Sequence, residues 1–311
     1  MITLNSERGL VQIASWDDVL ALPGFTANVD YKTRKLAAIV GRYVFSDWIP
    51  CGLVSCRKPH GRGFVVAIDG GQLTNIGKDC GKTHFGVDFV TMSRAFERDA
   101  RNAERRERLV AFQASIPFIL ARIDELRVVK RGDWIFKTAH LFRSTNSPAP
   151  VRDALSRLVR ARDGRLMKAR LETEAEAAAR EAMVIRESES SEEDDTKPRK
   201  PRRLMVDDQI AFIEGLPIFY PELDVRELLI RDVLPRLKII EALSVSNLSE
   251  PELRDHAKWV AAAEEKLARA ERAIEEGDKF LRHRNLAPFA ELITSSSDTI
   301  AFLSLLKPLM V

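Results

Sequence analysis

No run of this 311-residue chain approaches the ~18 consecutive apolar side chains that a membrane-spanning helix needs. Its first residues, Met1 to Arg8, lack the basic start and apolar core of a secretory signal. A soluble cytoplasmic protein is therefore expected. Aromatic residues are scarce at 7%, against 31% charged residues, which favours long solvated helices. Hydrophobic residues still reach 45%, enough for a core, so a wholly disordered chain is excluded. Catalytic signatures are missing too. There is no Gly-x-Ser-x-Gly, no His-Glu-x-x-His and no Gly-x-Gly-x-x-Gly. Gly77 to Thr83 imitates a phosphate-binding loop but has three residues, not four, before Gly81-Lys82-Thr83, so ATP binding is not expected. These absences point away from an enzyme.

Cysteine is the informative scarcity. The chain has three, Cys51, Cys56 and Cys80, all within 30 residues, with His60 and His84 in or beside the same window. A disulfide is not expected in a reducing compartment, and scattered core cysteines rarely cluster in this way. Cys51, Cys56 and His60 lie on a stretch rich in Gly52, Pro59, Gly61 and Gly63. Phe64-Val-Val-Ala-Ile68, the turn Asp69-Gly70-Gly71 and Gln72-Leu-Thr-Asn-Ile76 then read as a β-hairpin. Cys80 and His84 follow at the start of a helix. A ligand loop, a hairpin and a ligand-bearing helix are the order of a treble-clef module, and three thiolates with one imidazole suit structural Zn2+. The expected ligands are Cys51, Cys56, His60 and Cys80, with His84 as the alternative to His60. An open catalytic zinc would leave one position to water, whereas four or five candidate ligands favour a closed site.

Cys56-Arg-Lys-Pro-His60-Gly-Arg-Gly-Phe64 followed by Thr74-Asn-Ile-Gly-Lys-Asp-Cys80-Gly-Lys82 resembles the Cys/His, Ile-Gly-x-x-Cys-Gly segment of uncharacterised bacterial proteins, often from mobile elements. The resemblance covers roughly residues 50–90. It implies a metal and a treble-clef or zinc-ribbon fold, and no activity.

Charge is unevenly spread. Residues 1–90 carry a net +2, 91–186 +8, 187–203 −1 and 204–311 −6. The basic region suits nucleic acid, and residues 152–170, with seven basic and two acidic side chains, are the best candidate for phosphate contacts. Alternation such as Glu104-Arg105-Arg106-Glu107-Arg108 equally suits a solvated helix face or pairing with acidic helices. Lys197 to Arg203 is a second short basic run, next to the acidic Glu192 to Asp195 that can neutralise it.

The expected fold is mainly α, with a small N-terminal α+β zinc module (1–90), a basic helical region (91–186), a charged disordered linker (187–203) and an acidic helical region (204–311). Ser15 should cap a helix over 16–22, and Asp30 a second one through Leu36, Val40 and Tyr43. Pro117 should kink or split the helix that follows the module. A helix from Pro150 or Val151 should run toward Arg186, and others should cover 204–217 and 222–243. Residues 187–203 have no apolar side chain, hence the linker. Leu253, Val260, Leu267, Ile274 and Leu281 recur every seven residues, with Ala263, Ala270 and Gly277 between them, a coiled-coil pattern over 252–283. Two functions follow as expectations. One is a non-enzymatic zinc-stabilised nucleic-acid-binding or adaptor protein. The other is a coiled-coil interaction scaffold that associates with itself or another protein through 252–283.

Overall fold

A computed structural model describes residues 2–6, 9–13, 15–188 and 202–309. Most of them are helical. The core of the expected 187–203 linker lies outside the described residues, although Ser188 still belongs to a helix. The chain forms two compact units. The first combines Met1–Ala114 with Ala242–Ala261, and the second combines Ser115–Glu241 with Ala262–Val311. The unit that holds the cysteines thus continues past residue 90 and recruits a segment of the C-terminal third.

The first unit is built on a five-stranded antiparallel sheet, more than the single hairpin expected. Its strands are β1 (Ile2–Ser6), β2 (Gly9–Ile13), β3 (Leu36–Pro50), β4 (Pro59–Ile68) and β5 (Leu73–Gly77), in the order β2-β1-β3-β4-β5. The β4–β5 hairpin is in the expected place, with both glycines of its turn, Gly70 and Gly71, at positive φ. The helix capped by Ser15, α1 (Trp16–Leu20), forms with a complete capping box between Ser15 and Asp18.

The helix expected after Asp30 is instead strand β3. Leu36, Val40 and Tyr43 are spaced for a helix, but the segment is also rich in β-branched and aromatic residues, and its pairing with β1 and β4 decides. A register shift between Ile39 and Gly41 flips the faces of the strand. Ile39 therefore packs on one side of the sheet, with Phe64, Val66, Ile68, Ile76 and Phe89. Tyr43 packs on the other, with Val19, Val65, Trp16 and Phe25. Burial on both sides explains why Phe64 to Ile68 is continuously apolar.

Helix α2 (Lys78–Asp124) begins directly after β5. Its dihedrals leave the helical region at Gly86 (φ 56°, ψ −132°), not at Pro117. Pro117 removes one N–H bond from the ladder, which the rest of the helix tolerates, whereas the Gly86 conformation excludes residues with a Cβ. Beyond the bend, Leu109 packs on Val245 and Leu253 from the recruited segment, and the Arg106 guanidinium donates to the Leu248 carbonyl at 3.2 Å.

The second unit contains α3 (Gly132–Leu141), α4 (Ala149–Ala161), β6 (Arg165–Leu171), α5 (Glu174–Ser188), β7 (Met205–Phe212), α6 (Leu234–Glu241) and most of α7 (Glu250–Phe280). The short α8 (His283–Leu286) and α9 (Ser296–Leu306) complete it. Two expected helices are corrected here. The helix toward Arg186 stops at Ala161, where Arg162 turns left-handed (φ 54°), and residues 205–212 are a strand paired with β6. Gly164 allows this, because a Cβ there would lie 2.5 Å from the Ile213 carbonyl oxygen. The seven-residue repeat lies on one long helix from Leu253 to Ile274, with Leu281 just past its end. Its seam residues Leu253, Leu267, Ile274 and Leu281 are buried, and Gly277 leaves room for Ile135 and Ile218.

Candidate metal centre

Three backbone devices bring the cysteines together. Cys51 directly follows β3, and its N–H donates to the Lys58 carbonyl at 3.1 Å. Gly52 then presses onto β5: its N–H donates to the Asn75 carbonyl at 2.8 Å, and a Cβ would lie 2.1 Å from Thr74 Oγ1. Only glycine fits. The Cys56 and Arg57 N–H groups both donate to the Leu53 carbonyl, and Arg57 takes a left-handed conformation (φ 48°), so the loop closes back on itself. Cys80 sits in the first turn of α2, where free N–H groups favour an anion.

As a result, the Sγ atoms of Cys51, Cys56 and Cys80 all lie within 4.8 Å of one another. The Cys56 and Cys80 sulfurs are 3.0 Å apart, and all three thiols are free. Sulfurs at the corners of a zinc tetrahedron with Zn–S of about 2.3 Å stand ~3.8 Å apart, so the cluster brackets that spacing. The cluster can hold a metal ion.

The electrostatics point the same way. Burial pushes the Cys51 thiol up. Burial and a hydrogen bond to Cys56 push Cys80 up to about 12. For Cys56, burial also acts upward but is outweighed by hydrogen bonds from Cys80 and the Lys58 N–H, so this thiol titrates below its ordinary value. Three thiolates this close repel one another, and a divalent cation removes that cost.

Of the four expected ligands, these three cysteines group together, and no imidazole nitrogen is grouped with them. His60 stands nearby on β4. Its ring rests against Gly77, where a Cβ would come within 2.5 Å of the imidazole Cδ2. Its Nδ1 is 3.0 Å from the Tyr43 hydroxyl, and its Nε2 is buried without a partner. Burial lowers its pKa, so the ring is neutral near pH 7. When Nδ1 carries the proton and donates to Tyr43, the Nε2 lone pair is free for a cation. Tyr43 is itself held by Asn75, whose Nδ2 donates to the phenol oxygen at 3.4 Å and to the Pro50 carbonyl at 2.9 Å. His84 lies against the Tyr31 ring, centroids 4.0 Å apart.

Sequence reasoning missed the supporting residues Tyr43, Asn75 and Gly77. Gly77 was visible within the Ile-Gly-x-x-Cys-Gly segment, but nothing local marks Tyr43, which reaches His60 only through the pairing of β3 with β4.

The basic side chains divide into two groups. In residues 152–170, four of the seven are ion-paired: Arg162 with Glu222, Arg165 with Asp163, Lys168 with Glu291, and Arg170 with Glu176 and Asp208. Around the cysteines, Arg57, Lys58, Arg62, Lys78 and Lys82 are exposed, and among the described residues none forms an ion pair. The Arg57 guanidinium donates to the Asn28 amide oxygen, at 2.6 Å.

The chain matches no protein-family model, and searches of curated proteins and of solved structures find nothing similar to it.

Proposed function

We propose that this chain is a non-enzymatic, zinc-stabilised binding protein whose partner is nucleic acid. The observation that carries this reading is the convergence of the Cys51, Cys56 and Cys80 sulfurs; the buried, unpartnered Nε2 of His60, on the strand paired with β3, is the candidate fourth ligand. Three thiolates and an imidazole are a soft ligand set that suits Zn2+ over harder divalent ions. With His60 as the fourth ligand the site is closed, so zinc would hold the loop to the helix and supply no reaction step. The order of ligand loop, β4–β5 hairpin and helix-borne Cys80 supports a treble-clef-like arrangement.

Nucleic acid is favoured as the partner by the five unpaired cations in the same stretch as the cysteines. Trp48, 72% exposed at the end of β3, adds a surface on which a base can stack. Residues 152–170 carry this role less well, because most of their charges are already paired within the chain. The scaffold reading through 252–283 loses support for a similar reason: the seam of α7 is covered by the chain's own side chains.

The first test is zinc per chain by elemental analysis together with a free-thiol titration. One zinc and three protected thiols support the site, and no metal with three reactive thiols rejects it. The second test is affinity for single- and double-stranded oligonucleotides against salt. Binding that weakens as salt rises, and weakens uniformly in Lys58→Glu/Lys78→Glu/Lys82→Glu, supports the partner. Salt-independent or absent binding rejects it.

A further inference from the structure

The second unit contains a cavity of about 400 Å³, within the size range of small-molecule sites. It is far in sequence from the cysteines, and two unusual backbone segments border it. At the end of α2, residues Glu125–Val129 form a π-helical turn, in which the Lys130 N–H reaches five residues back to the Glu125 carbonyl at 2.9 Å. The second segment, Arg226–Val233, is π-helical over eight residues, and the Leu234 N–H returns to the Leu229 carbonyl. Such turns are rare and are frequently found at functional sites. Here each contributes to the same cavity: Arg127 comes from the first, and Arg226, Leu229 and Ile230 from the second.

The chemistry of the lining selects a ligand class. Phe136, Val225, Leu229 and Ile230 give apolar walls. The Arg127 guanidinium makes two bonds to the Asp133 carboxylate, at 3.2 and 2.9 Å, so that pair is neutral as a whole. Two cations remain, Lys137 and Arg226. Both are exposed, and among the described residues neither forms an ion pair. An apolar chamber with two unmatched cations at its rim suits a ligand with an apolar body and one anionic head. A neutral apolar molecule leaves the cations unused, and a multiply charged one strands charge against apolar walls.

We propose that this cavity is a binding site for a small amphipathic carboxylate, its tail between the two π-helical turns and its head on Lys137 and Arg226. The site is independent of the metal centre and of the nucleic-acid reading.

The test is calorimetric titration of the full chain with decanoate, with decanol as the uncharged counterpart. Saturable one-to-one binding of decanoate, clearly tighter than that of decanol, is expected. Lys137→Gln/Arg226→Gln, both at exposed positions, should weaken decanoate by about tenfold or more, since charge-assisted hydrogen bonds are lost, and leave decanol unchanged. Ile230→Trp should fill the chamber and abolish binding of both. Cys80→Ser should bind decanoate as the parent does. No saturable binding, equal affinity for decanoate and decanol, or unaltered binding in either cavity variant overturns the proposal. The charge variant decides the matter even if Ile230→Trp fails to fold.

Discussion

Gly81→Ala tests how the start of α2 seats against the sheet. Gly81 follows Cys80, and a Cβ at this position would lie 2.3–2.5 Å from three carbons of the Phe89 ring. Phe89 can reach back over this turn because the helix breaks at Gly86. The ring cannot easily yield, since it is fully buried and packs edge-on against Phe64 with centroids 5.5 Å apart. Forcing a methyl group into such a contact costs about 1–3 kcal/mol. Alanine in place of glycine in a helix returns roughly 1 kcal/mol. With the clash falling on an aromatic ring clamped on both sides, a net loss of about 1–2 kcal/mol is expected. Phe89→Leu alone should also destabilise, by removing ring volume from the core. Combined, the two changes should cost less than their sum by about 1 kcal/mol, the signature of residues in contact. Hydrogen exchange of β4 and β5 amides, read by mass spectrometry, reports this unit separately from the other. A Gly81→Ala protein as protected as the parent, or strict additivity with Phe89→Leu, would refute the packing described for this turn.

Three further outcomes are expected. Cys80→Ser, or chelation, should raise exchange and proteolysis in residues 51–58 and the first turn of α2 while β3, β4 and β5 persist, because Phe64, Val66, Ile68 and Ile76 are buried in a core of their own; collapse of the whole sheet would show that this core is insufficient. Tyr43→Phe removes the partner of His60 Nδ1 and should lower zinc affinity by about 10–100-fold, as loss of a ligand-orienting bond does, with the fold retained by circular dichroism. Glu172 accepts two bonds from the Arg180 guanidinium and one from the Leu204 N–H, which holds its carboxyl below the ordinary range. Its contribution is therefore complete above the unfolded carboxylate pKa of ~4.3 and lost as pH falls through the lower folded value. Glu172→Gln should be less stable than the parent at neutral pH and flatter in acid, and parallel acid profiles for the two proteins would exclude this role.

The candidate centre was legible in the sequence because its signals are local. Clustered cysteines, a double-glycine turn and Ile-Gly before Cys80 all fall within 30 residues. The Ser15 cap was legible for the same reason. Strand β3 was not, because Leu36, Val40 and Tyr43 satisfy a helical spacing by coincidence, and the register shift that sorts Ile39 and Tyr43 onto opposite sides exists only once β4 is paired. Strands β6 and β7 escaped because each needs the other, and α5 lies between them in the chain. The π-helical turns leave no compositional trace at all. Trp48 was invisible as a surface feature, since isolated tryptophans ordinarily read as core.

The closure of the first unit by its recruited segment also has a timetable. Arg106 and Leu248 are 142 residues apart in sequence. At ~5–20 residues per second, a ribosome takes about 7–28 s to make the intervening chain. Throughout that interval the sheet and the cysteine loop are already synthesised, while Leu109 waits for Val245 and Leu253. The nascent protein therefore passes through a stage in which its cysteine loop is complete and one apolar face of α2 is bare. A metal captured at that stage would steady the half-built unit, and a chaperone would meet that face on the emerging chain.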